Sequence, residues 1–226
     1  MSEMNRVALW NTTAGKPKGA GTEELMRSQM LMLVEEVTGV DELYASYRNN
    51  KEHGLLDGIG DVIVVAVGAL HLLGFDNFKV LPTQSNVVDK DIDELVDELY
   101  FLANAIKEDP LRLDSSSVAM TCIEYCVDIC HIKGYDPEQI LRIVNDSNFS
   151  KFCKTVEEAR ASKAAYTKKK RYSNVTYTKI GKYYVLSGDD EIHGAKQKTL
   201  KSINFYEPCF LKLIEQVNPQ ALEGKL

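Results

Sequence analysis

Four carboxylates in this chain could do chemistry together. Glu35 and Glu36 close the otherwise apolar run Leu33-Val34, and Asp57 and Asp61 stand four residues apart. On a helix, that spacing puts both aspartates on one face. Asp61 leads directly into Val62-Ile63-Val64-Val65, a run that must be buried. Acids gathered at the edge of an apolar bundle repel and desolvate one another unless a cation joins them. A hard dication resolves the conflict. Mg²⁺, with Mn²⁺ as the alternative ion, takes oxygen ligands, keeps some waters and accepts phosphate oxygens. The spacing therefore predicts a metal site on two helices around Glu35, Glu36, Asp57 and Asp61. The competing reading is a solvated helix end, with the glutamates as surface charges and Asp57 as an N-cap. Gly58 and Gly60 flank the aspartates at a helix cost of up to ~1 kcal/mol each relative to Ala. That cost implies either a bulky group against the backbone or tight helix packing.

The elements that must position these acids follow from periodicity. Thr22 is an N-cap candidate, with Glu23 and Glu24 in the first turn. Leu25, Met26, Gln29, Met30, Leu33, Val34 and Val37 then recur at helical spacing. Gly39 interrupts, and Asp41 to Tyr47 resumes a helical pattern. Leu55 to Leu73 reads as a long buried helix ending at Gly74. An amphipathic helix is expected over Asp91 to Ile106. Another runs from Ser115 to Lys133 and stops at Gly134. Asp136-Pro137-Glu138 starts the next. Residues 1–21 read as an irregular arm. Beyond residue 150, Glu157 to Ala165 is a helix candidate, Val175 to Leu186 suggests a hairpin around Gly181, and a short helix is expected near Phe210 to Val217.

The chain has 226 residues, 44% hydrophobic content, five cysteines and a net charge of −6. The apolar run Val62–Leu73 falls short of the roughly 20 residues a membrane span needs, so it is expected as a buried helix. No secretory signal is expected from MSEMNRVALW, and the odd cysteine count suits a reducing, cytoplasmic setting. The acidic balance argues against a polymeric nucleic-acid binder. It leaves room for a small phosphorylated ligand held through a metal.

The two buried helices align without gaps. Val62–Asp76 reads VIVVAVGALHLLGFD and Cys122–Asp136 reads CIEYCVDICHIKGYD. Upstream, Leu33-Val34-Glu35-Glu36 parallels Leu95-Val96-Asp97-Glu98. The expected fold is mainly α: a helical bundle of two pseudo-repeats, about 25–76 and 91–136, within 22–150. A C-terminal extension over 151–226 would carry a basic loop, the hairpin and the short helix. Repeat two has Ser117 and Thr121 where repeat one has Asp57 and Asp61, so one acidic site per chain is expected. Two amphipathic helices that both end in Gly would also look alike without any duplication.

LVEE followed by LLDGIGDVIVVAVGALHLLGFD resembles the all-α nucleoside triphosphate pyrophosphohydrolases, the superfamily of MazG-like enzymes and dimeric dUTPases. Ser147-Asn148-Phe149-Ser150-Lys151-Phe152 is similar to a Ser-Asn-Met-Ser-Lys segment of phage-type MazG-like proteins. Lys198-Thr-Leu-Lys201 through Pro208 is similar to the Lys-containing tail that follows it there. The resemblance implies Mg²⁺-dependent hydrolysis of (deoxy)nucleoside triphosphates to a monophosphate and pyrophosphate, in the cytoplasm or in a phage host's cytoplasm. It implies Glu35 or Glu36 as the residue that orients or deprotonates water. It also implies Glu36, Asp57 and Asp61 as metal ligands, and Asn148, Lys151, Lys198 and Lys201 as substrate-binding residues. The pattern departs at Gly39 and Gly58, where acids are expected. Asp57 is the stand-in for one, and Glu42 or Asp41 for the other. If neither serves, the chain is an inactive nucleotide-binding or protein-interaction module on the same fold. A homodimer stays open.

Other residues read more simply. Cys122, Cys126 and Cys130 share a helix face but lack the spacing of a zinc site, so core packing is expected. His71 and His131 lie one turn before helix C-termini, where imidazole meets open carbonyls. Lys168–Arg171 is a solvated loop or a lid over phosphates. The nearby Tyr172, Tyr177, Tyr183 and Tyr184 either stack on a base or pack the hairpin.

Overall fold

The longest apolar run becomes the centre of the molecule. The computed structural model describes all residues except 76, 77, 79–89, 193 and 223–226. It is mainly helical, with a small three-stranded antiparallel sheet near the C-terminus. Helix α4 (Glu52–Leu72) packs against α1 (Glu3–Thr13), α2 (Glu23–Thr38), α3 (Leu43–Arg48), α6 (Ser115–Ile132) and α7 (Pro137–Ser150). By length and composition α4 is apolar enough to cross a membrane. Here its Leu56, Ile59, Val62, Ile63 and Leu70 are wholly buried in the bundle. Helix α5 (Ile92–Glu108) closes the bundle against α2 and α6.

Local chemistry sets the helix ends. The Thr22 hydroxyl accepts from Leu25 N–H at 3.2 Å, and the Asp91 and Asp136 carboxylates cap α5 and α7 in the same manner. Gly74 (φ +95°) and Gly134 (φ +80°) end α4 and α6. Phe75 N–H reaches back to Leu70 C=O at 3.0 Å, and Tyr135 N–H to Cys130 C=O at 2.8 Å. Both are Schellman ends, so capping chemistry alone accounts for the shared Gly-aromatic pair. The aligned Asp76 lies outside the described residues.

The N-terminal arm departs from expectation, because residues 3–13 form α1. Ser2 caps it by accepting from Asn5 N–H at 3.3 Å. Met4, Val7 and Asn11 make its buried stripe. Asn11 sits where an apolar residue would have revealed the period, and its Nδ2 donates to Val7 C=O at 3.0 Å.

After α7 the chain builds a second, smaller core. Helix α8 (Val156–Thr167) packs on β1 (Tyr172–Ile180) and β2 (Tyr183–Asp190), and β3 (Ala195–Leu200) pairs with β2. Cys153, Ala159, Val175, Leu186 and Leu200 fill the space between them. The hairpin turns at Gly181 (φ +58°), the kind of residue a tight two-residue hairpin prefers. The sheet is tied to the end of α7 by paired Cys153–Tyr184 backbone bonds of 3.0 and 2.9 Å, and by Ser202 N–H on Lys151 C=O at 2.9 Å. Phe210 and α9 (Leu211–Val217) return to the bundle core.

Candidate functional site

The acidic site is built where α2 ends, α3 begins and α4 passes beneath. Glu35 and Glu36 occupy the last turn of α2. Consecutive helical residues diverge by about 100°, so Glu36 turns inward and is half-buried while Glu35 stays exposed. Two glycines then decide the geometry. A Cβ on Gly39 would stand 2.8 Å from Glu35 C=O, 2.6 Å from Glu42 Cγ and 3.2 Å from Glu35 Oε1. A Cβ on Gly58 would stand 2.7 Å from both Cα and N of Leu43. Gly58 thus lets the start of α3 lie on α4, and Gly39 leaves room for Glu42 beside Glu35. The alternatives left open for Gly58 resolve as tight helix packing. Gly60 likewise faces Val144 of α7.

The electrostatics show which acids act on one another. Burial pushes the Glu36 carboxyl up to about 8, with Asp61, Glu42 and Glu35 adding repulsion and Lys151 opposing it. Burial pushes Asp61 up to about 7, again with Asp57 and Glu42 adding and Lys151 opposing. Asp57 is raised by burial, while His53, Lys151 and Lys201 work against the shift. Glu42 is raised by burial, then by Asp57 and Glu35. The Asp57 Oδ1 atom is buried without a hydrogen-bond partner among the described residues. Among the described residues, no group of three or more His, Cys, Asp or Glu side chains is placed to hold a metal ion. The acids are mutually repelling. An oxygen-only donor set is the kind a hard cation such as Mg²⁺ takes.

The lysines predicted from the downstream segments divide. Lys151, at the C-terminus of α7, faces the acids and donates to Asn148 Oδ1 at 2.5 Å. Asn148 is buried, so in this arrangement it aims Lys151, and its backbone carbonyl accepts from Trp10 Nε1 at 2.8 Å. Lys201 Nζ pairs with Glu207 at 2.9 Å and lies 3.9 Å above the Phe205 ring. Lys198 pairs instead with Asp190 on the sheet, at 3.5 Å. The basic run also splits: Lys168, Lys169 and Lys170 are exposed, while Arg171 turns in to Asp190 at 2.7 Å.

Sequence reasoning missed Trp10, His53, Arg171 as a separate residue, Phe205 and Glu207. His53 lies one turn before Asp57 on α4, a spacing that could have flagged it. The others come from distant segments and carry no local signal. Of the tyrosines, Tyr166 and Tyr172 meet edge to face at 5.1 Å, and Phe149 and Phe152 pack on Tyr183.

Two readings settle as structural. Cys122, Cys126 and Cys130 are wholly buried or nearly so, and burial pushes all three thiols up. His71 does not use its own helix's carbonyls: its Nε2 lies 3.1 Å from Lys16 C=O and 3.3 Å from the Thr12 hydroxyl. No family model, curated protein or solved structure matches this chain.

Proposed function

We propose that this chain is a Mg²⁺-dependent nucleotide pyrophosphohydrolase, working on (deoxy)nucleoside triphosphates in the cytoplasm. The reading is supported by the mutual repulsion among Glu36, Glu42, Asp57 and Asp61, which Lys151 offsets, and by a buried Asp57 oxygen with no hydrogen-bond partner among the described residues. Glu36, Asp57 and Asp61 would hold the ion, with Asp57 in place of the acid missing at Gly58 and Glu42 in place of the one missing at Gly39. When bound, the ion supplies a positive charge against which phosphate oxygens and the developing transition-state charge are neutralised. Glu35, exposed at the rim, or Glu36 orients the water that attacks the α-phosphorus. Lys151, held by Asn148, gives a fixed point charge to the bridging phosphates. The pyrophosphate leaves toward Lys201 and the sheet.

We further propose that the bundle is a pseudo-two-fold duplication of α2–α4 and α5–α6. The cross-contacts α4 with α6 and α2 with α5 fit that symmetry, and Ser117 and Thr121 in the second half leave a single site. Such a chain needs no second subunit to complete its bundle, though a homodimer is compatible with it.

A panel of nucleotides with Mg²⁺, read as pyrophosphate release, tests the function. Turnover of at least one triphosphate, abolished in Glu36→Gln, is the expected result. Absence of turnover across the panel sinks it. Gly39 and Gly58, where the resemblance expects acids, favour one other reading, a module that binds nucleotides without hydrolysing them. Nucleotide binding without turnover would select that reading.

A further inference from the structure

Beside the acids opens a cavity of about 430 Å³ whose wall includes Trp10, Lys151, Arg171, Tyr172, Lys198 and Lys201. Among the described residues, no carboxylate lines it. Lys151 is shared: it faces Asp61 and Glu36 on one side and the cavity on the other. Each of the four cations has a carboxylate behind it, Asp190 for Arg171 and Lys198, Glu207 for Lys201 and the acidic site for Lys151, and together they turn a concentrated positive face to one space. The far pair is aimed with care. The Asp190 side chain is fully buried, and it takes Arg171 Nη2 at 2.7 Å, Arg171 Nε at 3.2 Å and Lys198 Nζ at 3.5 Å. The buried carboxylate fixes where those two cations sit at the cavity mouth.

We infer that Arg171 and Lys198, positioned by Asp190, bind the terminal phosphate of a nucleoside triphosphate whose inner phosphates lie at Lys151 and the carboxylates. This rests on the hydrolase reading for the inner end of the substrate, but the anion site stands on its own geometry. The C-terminal sheet is then what selects triphosphates over diphosphates. Asp190 is a positioning residue, because it touches the two cations and not the ligand.

The test is calorimetric titration of the full chain, in EDTA, with inorganic tripolyphosphate and separately with orthophosphate. Fluorescence of Trp10, the single tryptophan of the chain, is followed in parallel. Wild type is expected to bind tripolyphosphate at least tenfold more tightly than orthophosphate. Lys198→Ala, at an exposed position, and Arg171→Lys, which keeps charge but loses the fork, are each expected to weaken tripolyphosphate about tenfold, the effect of one charge-assisted contact. Lys163→Ala, an exposed lysine of α8 that does not line the cavity, is the charge-matched control and is expected to bind as wild type. Equal affinity of wild type for the two anions overturns the inference, as does unchanged tripolyphosphate binding in both cavity variants. So does a loss in Lys163→Ala as large as theirs. Tripolyphosphate binding without nucleotide turnover sinks the hydrolase reading and keeps this site. Turnover with an unchanged triphosphate-to-diphosphate KM ratio in Lys198→Ala sinks this site and keeps the hydrolase.

Discussion

Replacing Glu36 by Gln should stabilise the metal-free protein at alkaline pH while abolishing its activity. Glu36 sits among Asp61, Glu42 and Glu35, and its carboxyl is pushed up to about 8. A carboxylate whose folded pKa exceeds its unfolded value favours the fold at low pH. That contribution is lost as pH climbs from about 4.5 toward 8. The full shift corresponds to a ceiling of about 5 kcal/mol. The realised gain is smaller, because Glu36 is partly solvated and shares its repulsion with Asp61, which relaxes when one charge is removed. A stabilisation on the order of 1–2 kcal/mol at pH 8 is expected, or a rise in Tm of roughly 2–8 °C for a chain of this size.

Thermal melts at pH 5 and pH 8, each in EDTA and in Mg²⁺, read this directly. At pH 5 the wild-type acid is largely protonated, so the variant should melt with it. In Mg²⁺ at pH 8 the wild type should recover about 1.4 kcal/mol at a tenfold excess of ion over its Kd. The variant should gain little. A Glu36→Gln protein that melts below wild type at pH 8 in EDTA would refute the reasoning. So would a wild type indifferent to Mg²⁺.

Three further outcomes follow from the same geometry. Glu42→Gln should lower kcat/KM by roughly tenfold to a hundredfold with Tm unchanged or raised. Wild-type activity would show that Glu42 is not standing in for a missing acid. Lys151→Met should move the acidic limb of the pH–rate profile upward, since Lys151 holds Glu36 and Asp61 down, and should raise KM about tenfold. A profile that keeps its acidic limb would place Lys151 outside the site. Gly58→Ala should lose about 1–3 kcal/mol by overpacking against Leu43, offset by up to ~1 kcal/mol of helix propensity. A denaturation midpoint above wild type would contradict the packing.

Much of the bundle was legible because its helices announce themselves by period and cap. Thr22, Asp91 and Asp136 cap their helices through their own side chains, and Gly74 and Gly134 end theirs at positive φ. What escaped did so for physical reasons. Helix α1 hides behind Asn11, a polar residue on its buried stripe that satisfies itself on Val7. Strand β3 reads Ala-Lys-Gln-Lys-Thr-Leu, an edge strand whose polar side chains give no hydrophobic alternation, and its Leu200 is buried at the end. The cavity's grouping of Trp10 with Lys151, Arg171 and Lys198, from α1, the end of α7, the α8–β1 connection and β3, was only partly legible: the sequence named Lys151, Lys198 and the basic run, but not Trp10 or Arg171 by itself. Nothing in the spacing of those residues brings them together before the chain folds.

Gly39 and Gly58 carry the sharpest lesson, because in sequence they read as two losses. An acid belongs at each by the resemblance, and its absence there counts against a metal site. In the fold the two glycines act together. With no Cβ at 58, the backbone at Leu43 can rest on α4; with none at 39, Glu42 can lie beside Glu35. On the proposed reading, Glu42, at the N-cap position of α3, takes the place of the acid missing at Gly39. It follows that restoring the expected acid should harm the protein. In Gly58→Glu the new Cβ would meet Leu43 Cα and N at 2.7 Å, a contact that displaces α3 and carries Glu42 away. The added charge would also join acids that already repel. Pyrophosphate release by Gly58→Glu should fall at least as far as in Glu42→Gln, and Mg²⁺ should no longer raise its Tm as it does in wild type. A gain in activity on restoring that acid would mean that Glu42 is a bystander and that the site waits for the residue it lacks.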